Sequence, residues 1–114
     1  MYKIEAIIQP EKLDELKNAL VDAQIMGMTI YKVEGFGKQR GHKQYYRGTP
    51  VTPSFINKIK VEIVVSSEEW RDKAVDIIMK IANTGETGAG KIFISKIDKS
   101  IRIRTGETDY DALN

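Results

Sequence analysis

The sequence has no cysteine, a single histidine, a single tryptophan and three prolines in 114 residues. The lack of cysteine excludes disulfides, thiolate metal sites and cysteine nucleophiles, and it suits a reducing compartment such as the cytoplasm. His42 has no second histidine near it, so we interpret it as an ordinary loop residue. No apolar run is long enough for a signal peptide or a membrane span, so we expect any membrane recruitment to be reversible and to go through a partner.

An excess of charge of one sign is also missing. The chain carries 18 basic and 16 acidic residues, a net charge of +2. This near-balance does not call for a nucleic-acid partner. With 41% hydrophobic and 30% charged residues, the composition is typical of a folded domain, and the length fits one domain over residues 1–114.

Apolar periodicity predicts the order strand, helix, strand, long loop, strand, helix, strand. The strands are expected at about 3–8, 28–35, 58–65 and 91–97. One helix should open at Pro10, and a second should follow the Ser66-to-Glu69 spacing of a capping box and end at Gly85. This order predicts an α+β, ferredoxin-like split βαβ fold (βαββαβ), with helices on one face of an antiparallel sheet. Because the other face is partly apolar, we expect subunits to pack sheet against sheet in a closed ring.

A long segment at about 37–56 contains glycines, prolines and basic residues without sustained periodicity. Loops of this length are uncommon in compact domains and are usually functional. We therefore predict a functional loop between the second and third strands.

Residues 84–91 read Thr-Gly-Glu-Thr-Gly-Ala-Gly-Lys, and we name them the phosphate loop. Closely spaced glycines let backbone amides approach an anion, while Lys91 supplies positive charge. The stretch from Gly85 to Lys91 has the first part of a Walker A pattern, but Ile92 stands where a hydroxyl should follow, and a strand follows in place of a helix. We therefore do not expect an ordinary P-loop NTPase. The alternative that this stretch is a glycine-rich connection that binds no ligand stays open.

A basic segment at about 101–107 contains Arg102 and Arg104. If residues 101–104 are extended, both side chains point to one side and suit a phosphate chain. A solvated strand face is the alternative, but the nearby phosphate loop favours a shared polyphosphate. Carboxylates are scattered and no serine has a histidine partner, so we do not expect an enzyme.

Six stretches, at residues 3–8, 35–42, 46–48, 58–65, 84–93 and 102–107, resemble the PII nitrogen-regulatory signal transduction proteins, in the branch that regulates ammonium channels. The resemblance covers the chain almost end to end. It implies a homotrimer that binds ATP or ADP competitively in clefts between subunits. It assigns the nucleotide to Ile7, Thr29, Gly35, Lys38, Glu62, Val64, Gly88, Ala89, Gly90, Lys91, Arg102 and Arg104.

The same resemblance implies that ATP and Mg²⁺ together create a site for 2-oxoglutarate. Gln39 would complete the metal shell and Lys58 would pair with the distal carboxylate of the keto acid. The residues assigned to 2-oxoglutarate are Gly37, Lys38, Gln39, Arg40, Gly41 and Lys58. The long loop, known in the family as the T-loop, would change shape with the ligand, and Arg47 would enter the mouth of an ammonium transporter.

Some positions depart from the family pattern. Val51 stands where enteric relatives carry a tyrosine that is uridylylated, so that switch is expected to be absent. Pro50 and Pro53 should narrow the conformations of the loop tip. Modification at Tyr45, Tyr46, Thr49 or Ser54 and the choice of partner stay open, including a nitrogen-metabolism enzyme or a transcription regulator.

Three other classes of protein are alternatives to this function. An RNA-recognition domain shares the element order but stacks bases on sheet aromatics, which residues 58–65 lack. A nucleotide hydrolase would need a Walker hydroxyl and a metal-binding aspartate. An adenylate-only sensor that has lost 2-oxoglutarate and regulates a different enzyme or transcription factor is the remaining one, and Gln39 and Lys58 argue against it.

Overall fold

The strands and helices were located in a computed structural model, which describes residues 1–37, 45–46, 49–50 and 54–113. The strands are β1 (Tyr2–Ile8), β2 (Met28–Gly37), β3 (Tyr45–Tyr46), β4 (Thr49–Pro50), β5 (Ser54–Val65) and β6 (Gly90–Lys96). The helices are α1 (Leu13–Asp22), which follows a 3-10 turn at Pro10–Lys12, then α2 (Glu68–Ala82) and α3 (Tyr110–Leu113).

Four of the strands form one antiparallel sheet in the order β2-β5-β1-β6. The central strand β1 pairs Ile4 with Ile63 of β5 on one side and with Ile94 of β6 on the other. The edge strand β2 pairs with β5 from Met28 opposite Ile63 to Gly37 opposite Ser54. This arrangement confirms the predicted α+β, ferredoxin-like fold.

The hydrophobic core lies between one face of this sheet and helices α1 and α2. Alternate residues of β1 and β5 are buried, because successive side chains of a strand point to opposite faces. In α2 the buried residues recur at four-residue steps, which keeps them on one side of the helix. The largest fully buried side chains are Ile4, Ile8, Leu16, Leu20, Val61, Ile63 and Ile78. Complete burial of one such side chain contributes roughly 1.5–3 kcal/mol relative to exposure.

Helix α2 begins one residue later than the predicted capping box. Ser67 is the N-cap, and its Oγ accepts a hydrogen bond from the amide of Trp70 at 3.3 Å. The third helical residue is therefore Trp70 and not Glu69, so the reciprocal pair predicted for Ser66 is wrong. The helix also ends before Gly85, at Ala82, because Asn83 takes an extended backbone conformation.

Part of the predicted long loop is regular strand. Both β2 and β5 run further than the sequence pattern indicated, so that Phe36 lies directly opposite Phe55. Their ring centroids are 5.2 Å apart, and about two thirds of each residue is exposed. Cross-strand aromatic pairs stabilise a sheet, which explains why the ladder continues here. Farther along the chain, β3 and β4 form a separate two-stranded ribbon.

The sheet face turned away from α1 and α2, which we name the open face, mixes charged and apolar residues. The Nζ of Lys3 lies 3.1 Å from Oε1 of Glu5, and this hydrogen bond raises the pKa of Lys3 above its ordinary value. The Nζ of Lys60 lies 4.4 Å from the centre of the Tyr31 ring, a cation–π contact. Ile7 lies between Lys60 and Lys91 in the strand register. Neither face of the sheet is therefore wholly polar, as the sequence predicted.

Candidate functional site

The phosphate loop is a chain of tight turns between α2 and β6. Gly85, Gly88 and Gly90 have φ angles of +75°, +96° and +127°, a region that side-chain-bearing residues rarely adopt. The first turn is fixed by Asn83, whose Oδ1 accepts from the amide of Gly85 at 2.8 Å. The backbone path thus requires glycine at these three positions.

Gly90 also fits against the end of β1. A Cβ at this position would lie 1.8 Å from the carbonyl oxygen of Ile7 and 3.3 Å from the Cα of Ile8. Both are backbone atoms of the central strand, so they cannot move aside as a flexible side chain would. Only glycine brings the phosphate loop this close to β1, which places Gly90 and Ile7, two of the predicted nucleotide residues, in direct contact.

A lysine and a glutamine hold the middle of the phosphate loop through one carbonyl. The oxygen of Gly88 accepts from Nζ of Lys58 at 2.5 Å and from Nε2 of Gln9 at 3.2 Å. Lys58 is 9% exposed, and a Cβ at Gly35 would lie 3.5 Å from its Cγ. The predicted residues Gly35, Lys58 and Gly88 are therefore brought together.

Gln9 was missed in the sequence. It precedes Pro10 at the end of β1, where its only visible signal was the start of a helix. Because it is 79 residues from Gly88, only the tertiary fold reveals the hydrogen bond between them.

The start of β6 completes this region. Lys91 is exposed and lies opposite Ile7 in the β1–β6 ladder. A cavity of about 400 Å³, the β6 cavity, lies between β6 and α2. Its lining includes four of the predicted nucleotide residues, Ile7, Ala89, Gly90 and Lys91.

A different cavity is lined by three more of the predicted nucleotide residues. Thr29 of β2 lies opposite Glu62 of β5, and both line a cavity of about 270 Å³ together with Val64. Trp70 and the C-terminal residues Ala112 and Leu113 form another part of its wall, and we name it the C-terminal cavity. Within one chain, seven of the predicted nucleotide residues therefore line two separate cavities and not one pocket.

The electrostatics beside the C-terminal cavity are set by neighbouring strands. Glu62 lies directly opposite Glu5, an arrangement of like charges that is unfavourable across a ladder. Lys3 offsets it by its ion pair with Glu5, and Glu62 is one of the charges that raise the pKa of Lys3. Glu62 is thus placed in a mixed rather than a purely acidic environment.

Arg102 and Arg104 lie in a turn, so the prediction of an extended piece at 101–104 is wrong. Ile101 forms an isolated bridge with Thr108, and the chain turns between them, with the amide of Gly106 donating to the oxygen of Arg102 at 2.8 Å. Gly106 has a φ of +74°, which permits this turn. The argument that alternation along a strand aligns the two arginines therefore does not apply. Arg104 is exposed, whereas Arg102 is half-buried.

Several predicted site residues lie outside the described residues: Lys38, Gln39, Arg40, Gly41 and Arg47. Gly37, the last residue of β2, is described and lies opposite Ser54 of β5. Among residues 1–37, 45–46, 49–50 and 54–113, no three histidine, cysteine, aspartate or glutamate side chains are grouped so that they could hold a metal ion. No helix in the described part of the chain is both long and apolar enough to cross a membrane.

The fold and the phosphate loop define a small α+β domain in which a glycine-rich loop is attached to the end of the central strand. A family model described as "Nitrogen regulatory protein P-II" matches residues 1–107. The chain is 54% identical to the nitrogen regulatory protein P-II of Synechocystis sp. over 113 residues, which cover 99% of this chain and 100% of the relative. The proteins of the same name from Rhizobium etli and Bradyrhizobium diazoefficiens are 51% and 48% identical with the same coverage. The chain belongs to the nitrogen regulatory protein P-II family.

Family membership confirms the resemblance inferred from the sequence motifs. Proteins of this family are regulatory signal transducers that act on partners, which also confirms that the chain is not an enzyme. The assigned ligands, the trimer and the particular partner stay predictions.

Proposed function

We propose that the chain senses ATP or ADP together with 2-oxoglutarate, and that it controls an ammonium transporter through the T-loop. The observation that carries this proposal is the hydrogen bond from Lys58 to the carbonyl oxygen of Gly88, 2.5 Å long. It joins the phosphate loop to β5, the strand that leads out of the T-loop region. A ligand bound at the phosphate loop would therefore lie beside Lys58, a residue of the strand that leaves the T-loop region.

The nucleotide would bind between two subunits of a homotrimer. In one chain, Ile7, Ala89, Gly90 and Lys91 line the β6 cavity, while Thr29, Glu62 and Val64 line the C-terminal cavity. A cleft between neighbours would bring the first group of one subunit to the second group of the next. The mixed open face supports this arrangement, because its apolar residues favour burial against another sheet.

The phosphates would be held by the phosphate loop and by arginines. Amides around Gly88 and Gly90, the ammonium of Lys91, and the guanidinium groups of Arg102 and Arg104 supply hydrogen-bond donors and positive charge. Gly35, which lies next to Lys58, and Lys38 complete the proposed nucleotide residues.

The chemistry of 2-oxoglutarate fits the environment of Lys58. Its ammonium is largely buried and is directed at the phosphate loop, so an anion bound there would gain a charge-assisted hydrogen bond. Mg²⁺ prefers oxygen ligands and can be held by few protein groups when phosphates are present. It would link the phosphates to the keto acid, with Gln39 as its protein ligand and backbone groups of Gly37, Lys38, Arg40 and Gly41 beside it.

The output would be the conformation of the T-loop. Arg47 would contact the cytoplasmic mouth of the transporter, so the protein would be cytoplasmic and would reach the membrane reversibly through this partner. A ligand controls this step only to the extent that it binds one loop conformation more tightly than another.

Isothermal titration calorimetry of 2-oxoglutarate with Mg²⁺, in saturating ATP and in saturating ADP, tests the proposal. We expect binding with ATP and none with ADP, and we expect Gln39→Ala and Lys58→Ala to abolish it while ATP still binds. Lys17→Ala, which changes an exposed lysine of α1, is the matched control and should bind as the original chain does. If both nucleotides bind but 2-oxoglutarate does not, the chain is an adenylate-only sensor. If no nucleotide binds, the proposed function is wrong.

A further inference from the structure

The C-terminal segment, residues 97–113, forms part of the wall of the C-terminal cavity. Ala112, Leu113 and Trp70 line this cavity together with the strand residues Thr29, Glu62 and Val64. The cavity measures about 270 Å³, which is smaller than the roughly 300–1,000 Å³ of ordinary ligand sites. The position of the last residues therefore affects how much room the cavity offers.

The side chain of Arg102 contacts other parts of the C-terminal segment. Its Nη2 donates to the carbonyl oxygen of Ala112 at 3.2 Å, and its Nη1 lies 3.3 Å from Oε1 of Glu107. One guanidinium thus contacts both the turn at Glu107 and the helix α3 that lines the cavity. α3 contributes no buried residue, so these polar contacts matter more for its position than packing does.

A second pair of residues closes the same segment. The amide of Asp109 donates to the oxygen of Ser100 at 2.8 Å, and Oδ1 of Asp109 accepts from the amide of Ser100 at 3.3 Å. These bonds bring the two ends of the turn together but do not involve Arg102. The contact between Arg102 and Ala112 can therefore be lost while the turn itself stays closed.

The charges around Arg102 conflict with a bound phosphate chain. The carboxylate of Glu107 contacts the guanidinium that the proposed function assigns to the nucleotide, and about 45% of this side chain is exposed. A phosphate that approaches Arg102 would lie near this carboxylate and would be repelled by it. A phosphate, like a carboxylate, accepts bidentate hydrogen bonds from an arginine, so it could replace the single contact of Arg102 with Glu107.

From this geometry we infer that Glu107 and the carbonyl oxygen of Ala112 compete with the nucleotide phosphates for Arg102, so that nucleotide binding detaches α3 from the wall of the C-terminal cavity. The inference rests on the proposed function, since it needs a nucleotide at Arg102. The inference adds a competitor within the chain, because the C-terminal segment would lower the affinity for the nucleotide. Nucleotide binding would in turn change the conformation of the last residues.

Glu107→Gln tests the competition, because it removes the charge and keeps the shape. The bond from the amide of Arg102 to the oxygen of Glu107, 2.8 Å long, is made by the backbone and is unaffected. An exposed ion pair contributes about 0.2–1 kcal/mol, so we expect ATP to bind up to roughly fivefold more tightly in calorimetry. Glu11→Gln, which changes an exposed glutamate of the 3-10 turn, is the matched control and should leave the affinity unchanged.

Release of α3 is tested by a second measurement on the same protein. Trp70 is the single tryptophan of the chain and lines the same cavity as Leu113, so its fluorescence should change when ATP is added. Hydrogen exchange of residues 110–113 should become faster in ATP. Leu113→Ala, which weakens the contact with the cavity wall, should bring both signals of the nucleotide-free protein closer to those of the ATP complex.

The outcomes separate the two proposals. If ATP binds but Glu107→Gln leaves its affinity unchanged or weaker, the competition is wrong while the proposed function stands. If exchange of residues 110–113 slows in ATP, the segment closes over the nucleotide and the inference is also wrong. If the original chain binds no nucleotide, the proposed function fails, and the inference fails with it.

Discussion

The phosphate loop and the C-terminal segment both carry basic residues assigned to phosphates, yet they are held in different ways. The phosphate loop touches the backbone of β1 through Gly90, and its middle is anchored by Lys58 and Gln9. The C-terminal segment depends on hydrogen bonds within residues 100–112: the one from Arg102 to Glu107 is exposed, and those from Ser100 to Asp109 and from Arg102 to Ala112 are partly buried. The sheet therefore holds the phosphate loop in place, whereas the C-terminal segment is held mainly by contacts among its own residues.

This difference indicates which region responds to a ligand. A loop held by backbone contact with a central strand cannot shift without disturbing the core, because packed interiors resist small displacements. A segment that is held by partly exposed polar contacts, and whose helix α3 has no buried residue, opens at low free-energy cost. The phosphate loop would thus present a preformed surface to phosphates, and the C-terminal segment would rearrange around them. Three substitutions test this comparison.

Gly90→Ala should have the largest effect. The new Cβ would overlap the carbonyl of Ile7, and the φ of +127° is unfavourable for alanine. Steric overlap and backbone strain together should lower the free energy of unfolding by about 3 kcal/mol or more. Urea denaturation measures this change in the free energy of unfolding. Gly27→Ala is the control, because nothing lies within 4 Å of a Cβ at position 27 and the position requires no unusual φ. A small loss at Gly90 would show that the phosphate loop is not fixed by β1.

Lys58→Met should have an intermediate effect. Methionine is about as long as the buried lysine but cannot donate a hydrogen bond to Gly88. Of the two side chains that donate to the Gly88 carbonyl oxygen, only Gln9 would remain. We expect a loss of about 1–2 kcal/mol in urea denaturation, since hydrogen bonds from charged groups are the stronger ones. Gln9→Ala should cost less, about 0.5–1 kcal/mol, because the charged donor remains. Equal losses would contradict the greater weight given to Lys58.

Asp109→Ala should have the smallest effect on overall stability and a local effect on the C-terminal segment. Asp109 has a φ of +55° and accepts a hydrogen bond from the amide of Ser100. Alanine loses the bond and is less suited to this conformation, so hydrogen exchange of residues 110–113 should speed up roughly tenfold. Asp109→Asn keeps both features and serves as the control. A large drop in the midpoint of thermal unfolding would show that the segment is part of the cooperative core.

The regular elements were well predicted from the sequence because their signals are local. Alternation in β5 and an apolar stripe in α2 appear directly in the order of residues, and the structure has a strand and a helix at these places. The errors concern the ends of elements. The cap of α2 is Ser67 and not Ser66, since two adjacent serines offer the same chemistry and only the backbone selects one.

The basic segment shows why the rest could not be predicted. An alternation of isoleucine and arginine at 101–104 is typical of a strand. In the described chain, however, no strand of the sheet pairs with it, and Ile101 forms only an isolated bridge with Thr108. The turn at Gly106 and the contacts of Arg102 then decide its shape. Local preference indicated an extended backbone, and tertiary contacts overrode it.

The sequence by itself determined the order of strands and helices, the glycine content of the phosphate loop and membership of the P-II family, because each depends on residues that are close together or on motifs in series. Only the tertiary structure decided that Gln9 and Lys58 share the carbonyl of Gly88, that Gly90 touches Ile7, and that the last residues line the cavity of Thr29 and Glu62. These contacts join residues far apart in the chain. They form because the sheet brings β1, β5 and β6 side by side, and no local sequence pattern predicts which strands become neighbours.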